Sequence, residues 1–278
     1  MYLVTGATGN VGAEVVRTLL GMGAQVRALV REPGKVIVPA GAEAVSGDLN
    51  RPETLRSGLR GVRGMFLLPG YRDMAGVLEE AHKAGVEHVV QLSGRSAATE
   101  DMSNAITRYM VNTETALRAS DLPWTIVRPS GFMSNTFEWA PTIKAGEVIR
   151  APFADVPVAV IDPADIGAVV AHALVADGHQ GRVYSLSGPE PLTPADRARI
   201  LGEVLGRTLP FEAQPDAEAR VEMSAAMPPE YVDAFFDFYV DGNLDESPVL
   251  PTVEQVIGRP PRTFEQWATA HAHAFRRS

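Results

Sequence analysis

The chain has 278 residues, enough for one large domain or a domain with a smaller appendage. Its formal net charge of −9 argues against a nucleic-acid partner, because phosphate backbones are held by clustered Lys and Arg. There is no cysteine, which removes disulfides and thiolate chemistry, and no apolar run approaches the roughly 20 residues of a membrane helix.

The opening MYLVTG reads as a strand with no charged leader ahead of it, so a cytoplasmic protein is expected. NVGAEVVRTLLGMG carries apolar residues at helical spacing and stops at Gly21 and Gly23. QVRALV is the next strand and AEAVSGDL a third; PETLRSGLRG is a short helix with Pro52 near its start, and VRGMFLL a fourth strand. RDMAGVLEEAHKAG reads as a helix, VEHVVQLSG as a strand, residues 103–120 as a long helix and PWTIVRP as a sixth strand. Strands separated by helices pair in parallel through right-handed crossovers, so the fold class is α/β, a Rossmann-type doubly wound parallel sheet. Beyond Pro129 the pattern is less regular. APFADVPVAVI looks like strand material, and DPADIGAVVAHALVA is a helix opened by Asp162 and Pro163. GRVYSLSG is a strand, TPADRARILGEVLG a helix capped by Thr193, and PPEYVDAFFDFYVDG and TFEQWATAHAHAF are helical.

VTGATGNVG places Gly6, Gly9 and Gly12 between the first strand and the first helix. Glycines there permit a tight turn and a close backbone approach to a pyrophosphate, while the helix N-terminus offers amide N–H groups and a positive dipole. Dinucleotide binding follows from that position rather than from the glycines alone. The second strand ends ALVREPGK, where an NAD-preferring site places an acidic residue on the ribose. Arg31 stands there instead, with Lys35 nearby, and the Arg fork matches a 2′-phosphate, so NADP(H) is expected over NAD(H). Glu32 remains able to meet a ribose. Asp48 ends the third strand and either accepts from the adenine amino group or caps the next turn.

LVTGATGNVG, VRALVREPGK, SGDLNRPETL, AGVEHVVQLSG, LPWTIVRPSGFMSN, DPADIGAVVAHAL and IGRPPRTFEQWA, in this order, resemble the NmrA-like, atypical short-chain dehydrogenase/reductase family over nearly the whole chain. That family includes quinone reductases, isoflavone-reductase-like enzymes, redox-sensing regulators and tailoring enzymes for aromatic natural products. The resemblance implies that Gly6, Thr8, Gly9, Asn10, Val11 and Gly12 lie on the pyrophosphate, Arg31 and Lys35 by the adenosine phosphate, and Asp48 and Leu49 by the adenine. Leu67, Leu68 and Pro69 would lie beneath the nicotinamide ribose, Ser93 would bind the cofactor from the end of the fifth strand, and Pro129, Ser130, Gly131 and Phe132 would lie beside the nicotinamide. Residues 1–129 would form the dinucleotide-binding core. Residues 130–278 would return to the sheet and form a smaller, mainly helical substrate lobe, the two making one compact unit.

In the usual member, the long helix at 103–120 carries a Tyr with a Lys four residues on, the Lys lowering the phenol pKa for proton exchange. Here Tyr109 is followed at that spacing by Thr113, and Met110 falls where other family reductases keep a lone Lys. Methionine has no proton to give. The expected activity is therefore an NAD(P)H-dependent oxidoreductase on a quinone or aromatic polyketide-like small molecule, acting as a reductase or a cofactor-dependent monooxygenase without the Tyr–Lys relay. Tyr109 orients the substrate. The alternatives are a cofactor-binding redox sensor and an isomerase or epimerase using the cofactor catalytically.

Tyr71, in the loop after the fourth strand, either meets the substrate or is ordinary loop. Met110 from the long helix, and Met133, Asn135 and Trp139 after the sixth strand, give an aromatic-friendly wall with Asn135 as polar anchor; core packing is the competing reading. In PPEYVDAFFDFY, Tyr231, Phe235 and Phe238 share a face with Phe236 and Tyr239 beside it, so most pack and one or two, Phe235 among them, cover the substrate. The six histidines form no ligand pattern, so no metal is expected, and nothing calls for a flavin. Asp162 and Asp165 read as a helix start rather than a catalytic dyad.

Overall fold

Seven parallel strands carry the molecule: β1 (Tyr2–Val4), β2 (Val26–Val30), β3 (Glu43–Ser46), β4 (Gly64–Leu67), β5 (His88–Leu92), β6 (Trp124–Pro129) and, after the short β7 (Ile149–Ala151), β8 (Arg182–Leu186). This is a computed structural model, and it describes residues 1–276. The strand order is β3-β2-β1-β4-β5-β6-β8, every pair parallel, so the chain reverses its direction of travel across the sheet between β1 and β4. Helices α1 (Asn10–Gly21), α2 (Met74–Lys83), α3 (Ala105–Arg118) and α5 (Pro163–Val175) cover the two faces. Central strands β1, β4 and β5 are buried along their whole length, as a sheet covered on both faces requires.

One face is filled by Val11, Val15, Val16 and Leu19 of α1 with Val169, Val170 and Ala173 of α5; the other by Val77, Leu78 and Ala81 of α2 with Leu117 of α3. The caps foreseen at Asp162 and Thr193 are present: Asp162 accepts from the Ala164 amide, and Thr193 forms a reciprocal capping box with Asp196. Buried Asp165 does more than start its helix. It pairs with Arg259 at 2.7 Å and accepts from the Arg262 amide at 2.7 Å, strapping the C-terminal segment across α5.

Residues 130–276 add α4 (Ala140–Ala145), α6 (Pro194–Leu205), β9 (Phe211–Ala213), α7 (Asp216–Ala226), α8 (Pro229–Tyr239), α9 (Thr252–Ile257) and α10 (Phe264–His271). Two expectations need correcting. APFADVPVAVI is not one strand: β7 ends at Ala151 and pairs with β9 in a separate two-stranded sheet, and Phe153 turns the chain at φ +54°. Two prolines flank that turn, which leaves Val158 and Ile161 only isolated bridges. PETLRSGLRG supplies a single 3₁₀ turn, Pro52–Leu55, and not an α-helix.

Residues 277–278, the end of the second expected segment, lie outside the described residues. Among the described residues no helix is long and apolar enough to cross a membrane, and no group of His, Asp and Glu side chains is placed to hold a metal ion.

Candidate functional site

All parallel strands end at one edge, and the loops leaving β1, β2, β3, β4, β5 and β6 gather there around the reversal point between β1 and β4. Ligands of open α/β sheets bind at such a point. After β1 the chain turns at Gly6 with φ +59°, where a Cβ would lie 2.3 Å from Leu68 Cδ1. The Gly9 amide donates to the Gly6 carbonyl at 2.9 Å. Gly9 then starts α1 with no side-chain cap and no acidic residue in the first turn. Thr8, Gly9 and Asn10 are exposed. An uncapped N-terminus facing a cradle that only glycine backbone can line fits the pyrophosphate of a dinucleotide.

After β2, β3 and β4, Arg31, Asp48 and Tyr71 come together: burial and the Asp48 carboxylate push the Tyr71 phenol up, and Arg31 opposes them. Arg31 is exposed and its side chain has no ion pair among the described residues, whereas Lys35 is drawn to Glu32 at 2.5 Å. Asp48 uses Oδ1 to accept from the Asn50 amide at 2.9 Å, a turn bond, with Leu49 packed into the core beneath it. Buried Thr5 receives the Leu68 amide at 2.9 Å, which fixes the chain where β4 leaves the sheet, and Leu67 is wholly buried there.

Farther along the edge, the Ser93 hydroxyl donates to Glu114 at 2.7 Å. Glu114 is buried on α3 and also takes both arms of Arg128, at 2.8 and 2.6 Å. The Arg128, Ser93 and Arg118 hydrogen bonds outweigh burial and hold the Glu114 carboxyl below the usual carboxylate range. Tyr109 lies one turn before Thr113, whose hydroxyl donates back to the Tyr109 carbonyl at 2.8 Å. The Tyr109 phenol donates to the Pro69 carbonyl at 3.0 Å, and burial, with Tyr231 and Tyr71 beside it, pushes its pKa up. A proton-exchanging phenol needs the opposite shift. Met110 lies against Gly94, the residue after Ser93.

Beyond β6, Ser130 is buried and its hydroxyl donates to the Ala159 carbonyl at 2.5 Å. Gly131 and Phe132 then line a cavity of about 550 Å³ that is walled further by Asn135, Trp139, Phe153, Arg197, Phe235 and Tyr239. The segment after β6 is tied to the start of α1, where Asn10 Nδ2 donates to Ser134 Oγ at 3.2 Å. Of the residues expected around a substrate, Asn135, Trp139 and Phe235 line this cavity. Met133 does not: it is wholly buried in the core with Ile143 and Trp267, because the 3₁₀ helix Met133–Trp139 turns it inward. Tyr71 and Met110 stand at the strand-end edge outside the cavity wall.

Helices α7 and α8 line one part of the cavity. On α8, Phe236 and Phe238 are buried as packing, while Phe235 and Tyr239 line the cavity. The position of α8 is fixed by Asn104, the cap of α3, which donates to the Ala234 carbonyl at 3.1 Å and to Asp237 at 2.8 Å. The Tyr239 hydroxyl donates to buried Glu246 at 3.0 Å, and the same carboxyl lies beside Gly131. Burial pushes both Glu246 and Tyr239 up.

Glu246 and Arg197 were not foreseen. Glu246 sits in a segment without periodicity and leaves no signal. Arg197 leaves one: it lies three residues after buried Pro194 and four before buried Leu201, a charge on the apolar stripe of α6.

The NAD(P)H-binding family profile matches residues 6–177. The chain belongs to that family. Over 280 residues and 99% of both chains it is 42% identical to the (4-alkanoyl-5-oxo-2,5-dihydrofuran-3-yl)methyl phosphate reductase of Streptomyces griseus. It is 36% identical to the NAD(P)H azoreductase of Xenophilus azovorans over 284 residues, again 99% of both. The NADPH-dependent quinone oxidoreductase of Escherichia coli has the same fold, with a TM-score of 0.79 and 24% identity over 98% of this chain and 100% of that one. The protein is an NAD(P)-dependent oxidoreductase.

Proposed function

We propose that this oxidoreductase is a reductase preferring NADP(H), whose substrate needs no proton from α3 because it takes up charge by delocalisation. The observation that carries this reading is the state of α3: the Tyr109 phenol is spent on the Pro69 carbonyl with a raised pKa. By the resemblance, Met110 falls at or near the place where some family reductases keep a lone Lys. A quinone fits such a site, since its reduced anion is spread over two oxygens. So does a ring alkene conjugated to carbonyl groups, of the kind named for the Streptomyces griseus relative.

The bound nicotinamide supplies hydride. Gly6, Thr8, Gly9, Asn10, Val11 and Gly12 hold the pyrophosphate; Arg31 takes the 2′-phosphate, with Lys35 outside it. Asp48 and Leu49 flank the adenine. Leu67, Leu68, Pro69, Ser93, Pro129, Ser130, Gly131 and Phe132 bound the nicotinamide end. Residues 1–129 form the cofactor half and 130–278 the substrate half of one unit. Asn135, Trp139 and Phe235 enclose the substrate and exclude water. Tyr109 and Tyr71 hold the loop after β4 in place rather than exchange protons.

The test follows oxidation of NADPH and NADH with menadione, an azo dye and an alkanoyl butenolide, in air and under argon. Turnover that favours NADPH and persists under argon supports the reading. Turnover that needs air, with oxygen in the product, replaces it with a monooxygenase. Absence of oxidation with every acceptor refutes it.

A further inference from the structure

Four charged side chains line the cavity. Glu138, Arg150 and Glu222 are exposed at its rim, and Arg150 is paired with Glu218; Arg197 alone is drawn into the wall. The capping box at Thr193 fixes the start of α6 and therefore the turn from which Arg197 projects. Its guanidinium carbon lies 5.1 Å from the centre of the Trp139 ring. Its Nε is enclosed and has no hydrogen-bond partner among the described residues, and the guanidinium makes no ion pair with any of them. The Tyr239 phenol and, less strongly, Glu138 favour its charge, and neither is within ion-pair or hydrogen-bond distance of it. Burial pushes Arg197 down to about 10, which leaves it charged at neutral pH.

An unpaired cation in an apolar wall is costly to fold, and a leucine or methionine would pack there more favourably. The planar fork is suited to two oxygens of one anion, and stacking on Trp139 leaves its edge free to meet them. Gln214, itself buried, and Thr142 line the same cavity and can donate to further oxygens.

We propose that Arg197 docks a phosphate monoester carried by the substrate, so that the ester lies against α6 and the reducible group faces Gly131 and Phe132. The assignment rests on the reductase reading for the word substrate, and on the cavity alone for the site. A phosphate dianion satisfies the trapped charge and still leaves oxygens for Gln214 and Thr142; a carboxylate would fill only the fork. A methyl phosphate is part of the substrate named for the Streptomyces griseus relative.

The experiment is a calorimetric titration of the NADP⁺-saturated protein, in which the cofactor's own phosphate seats are filled, with phenyl phosphate, benzoate and phenol. Charge-assisted hydrogen bonds from a desolvated Arg predict phenyl phosphate binding ~30-fold or more tighter than phenol. R197M removes that preference to within about threefold and R197K keeps part of it, since Lys supplies charge without the fork. Thermal melts accompany each variant. R197M melts at or above the wild type because an unpaired charge has been removed, whereas an Arg with a purely structural role would melt lower on substitution. Equal binding of phenol and phenyl phosphate by the wild type, or a preference surviving in R197M, overturns the proposal. Benzoate binding tighter than phenyl phosphate overturns the phosphate assignment. No turnover enters the titration, so failure of the acceptor panel sinks the reductase reading and leaves this result standing.

Discussion

Gly12→Ala probes the glycine loop at its tightest point. A Cβ on Gly12 would lie 2.1 Å from the Gly6 carbonyl oxygen, 2.6 Å from its carbon and 2.9 Å from the Thr5 oxygen, all backbone atoms that cannot swing aside. Ordinary contact begins at 3.4 Å, so α1 and the loop must part by about 1 Å. That displacement turns the first-turn amides away from the pyrophosphate. Each charge-assisted bond lost costs ~1.5–3 kcal/mol, so one or two of them raise the Kd for NADPH by ~10- to 1,000-fold. Gly21→Ala is the control: it ends the same helix, a Cβ there meets nothing within 4 Å, and its φ is not in the left-handed region. Alanine there leaves binding unchanged and adds up to ~1 kcal/mol of helix stability. NADPH fluorescence titration reads the affinity, and melts without cofactor separate it from unfolding. A Gly12→Ala protein that binds NADPH within about threefold of the wild type, or a Gly21→Ala protein weakened as much, refutes the loop as the pyrophosphate seat.

Three further outcomes follow from single groups. Arg31→Glu lowers kcat/KM for NADPH by ~10- to 100-fold, the worth of one charge-assisted phosphate contact, and leaves NADH within about threefold; an unchanged NADPH-to-NADH ratio removes Arg31 from the cofactor. Tyr109→Phe, which deletes only the bond to the Pro69 carbonyl, costs ~1 kcal/mol of stability and less than about fivefold in kcat on menadione. A loss beyond about a hundredfold, with a shifted acid limb of the pH profile, would make the phenol a proton donor after all. His88 is buried, touching Thr125 at 2.9 Å, and burial with His179 nearby lowers it from 6.5 to about 4. The unfolded chain then binds its proton first, so stability is full above about pH 6.5 and declines as pH falls toward about 4. Wild type loses ~2 kcal/mol more than H88Q in urea melts between pH 7.5 and 5.0, and equal losses refute the linkage.

The sheet and the glycine loop were legible because each residue there carries its reason locally: apolar runs for buried strands, Gly6 for a positive φ, Asp162 and Thr193 for helix starts. The second half was less so. APFADVPVAVI has strand composition, yet Phe153 and the adjoining prolines break it, and β7 finds its partner in Phe211–Ala213, 60 residues on, a pairing no local pattern announces. α7 went unseen because only Ala219 of its eleven residues is buried, which leaves no apolar stripe. Met133 carried the composition of a pocket wall, but the handedness of a 3₁₀ turn decides whether a side chain meets the cavity or the core. Arg197 and Arg199 look alike in ADRARIL, and only their helical phase separates the cavity from solvent.

That phase has a mechanistic consequence. On the proposed reading, in which α3 gives no proton, the protein contributes to the reaction through orientation and exclusion of water rather than through acid catalysis. An apolar cavity orients a flat ring poorly, because Trp139, Phe153 and Phe235 accept many slides and flips at similar energy. A fixed cation in the wall reduces that degeneracy: an anionic handle on Arg197 would restrict the ways the ring can lie. The missing Lys on α3 and the unpaired Arg on α6 are then parts of one arrangement. Under the two proposals above, the substrate's conjugation takes over the role of the acid, and its charged handle takes over the role of a positioning hydrogen bond.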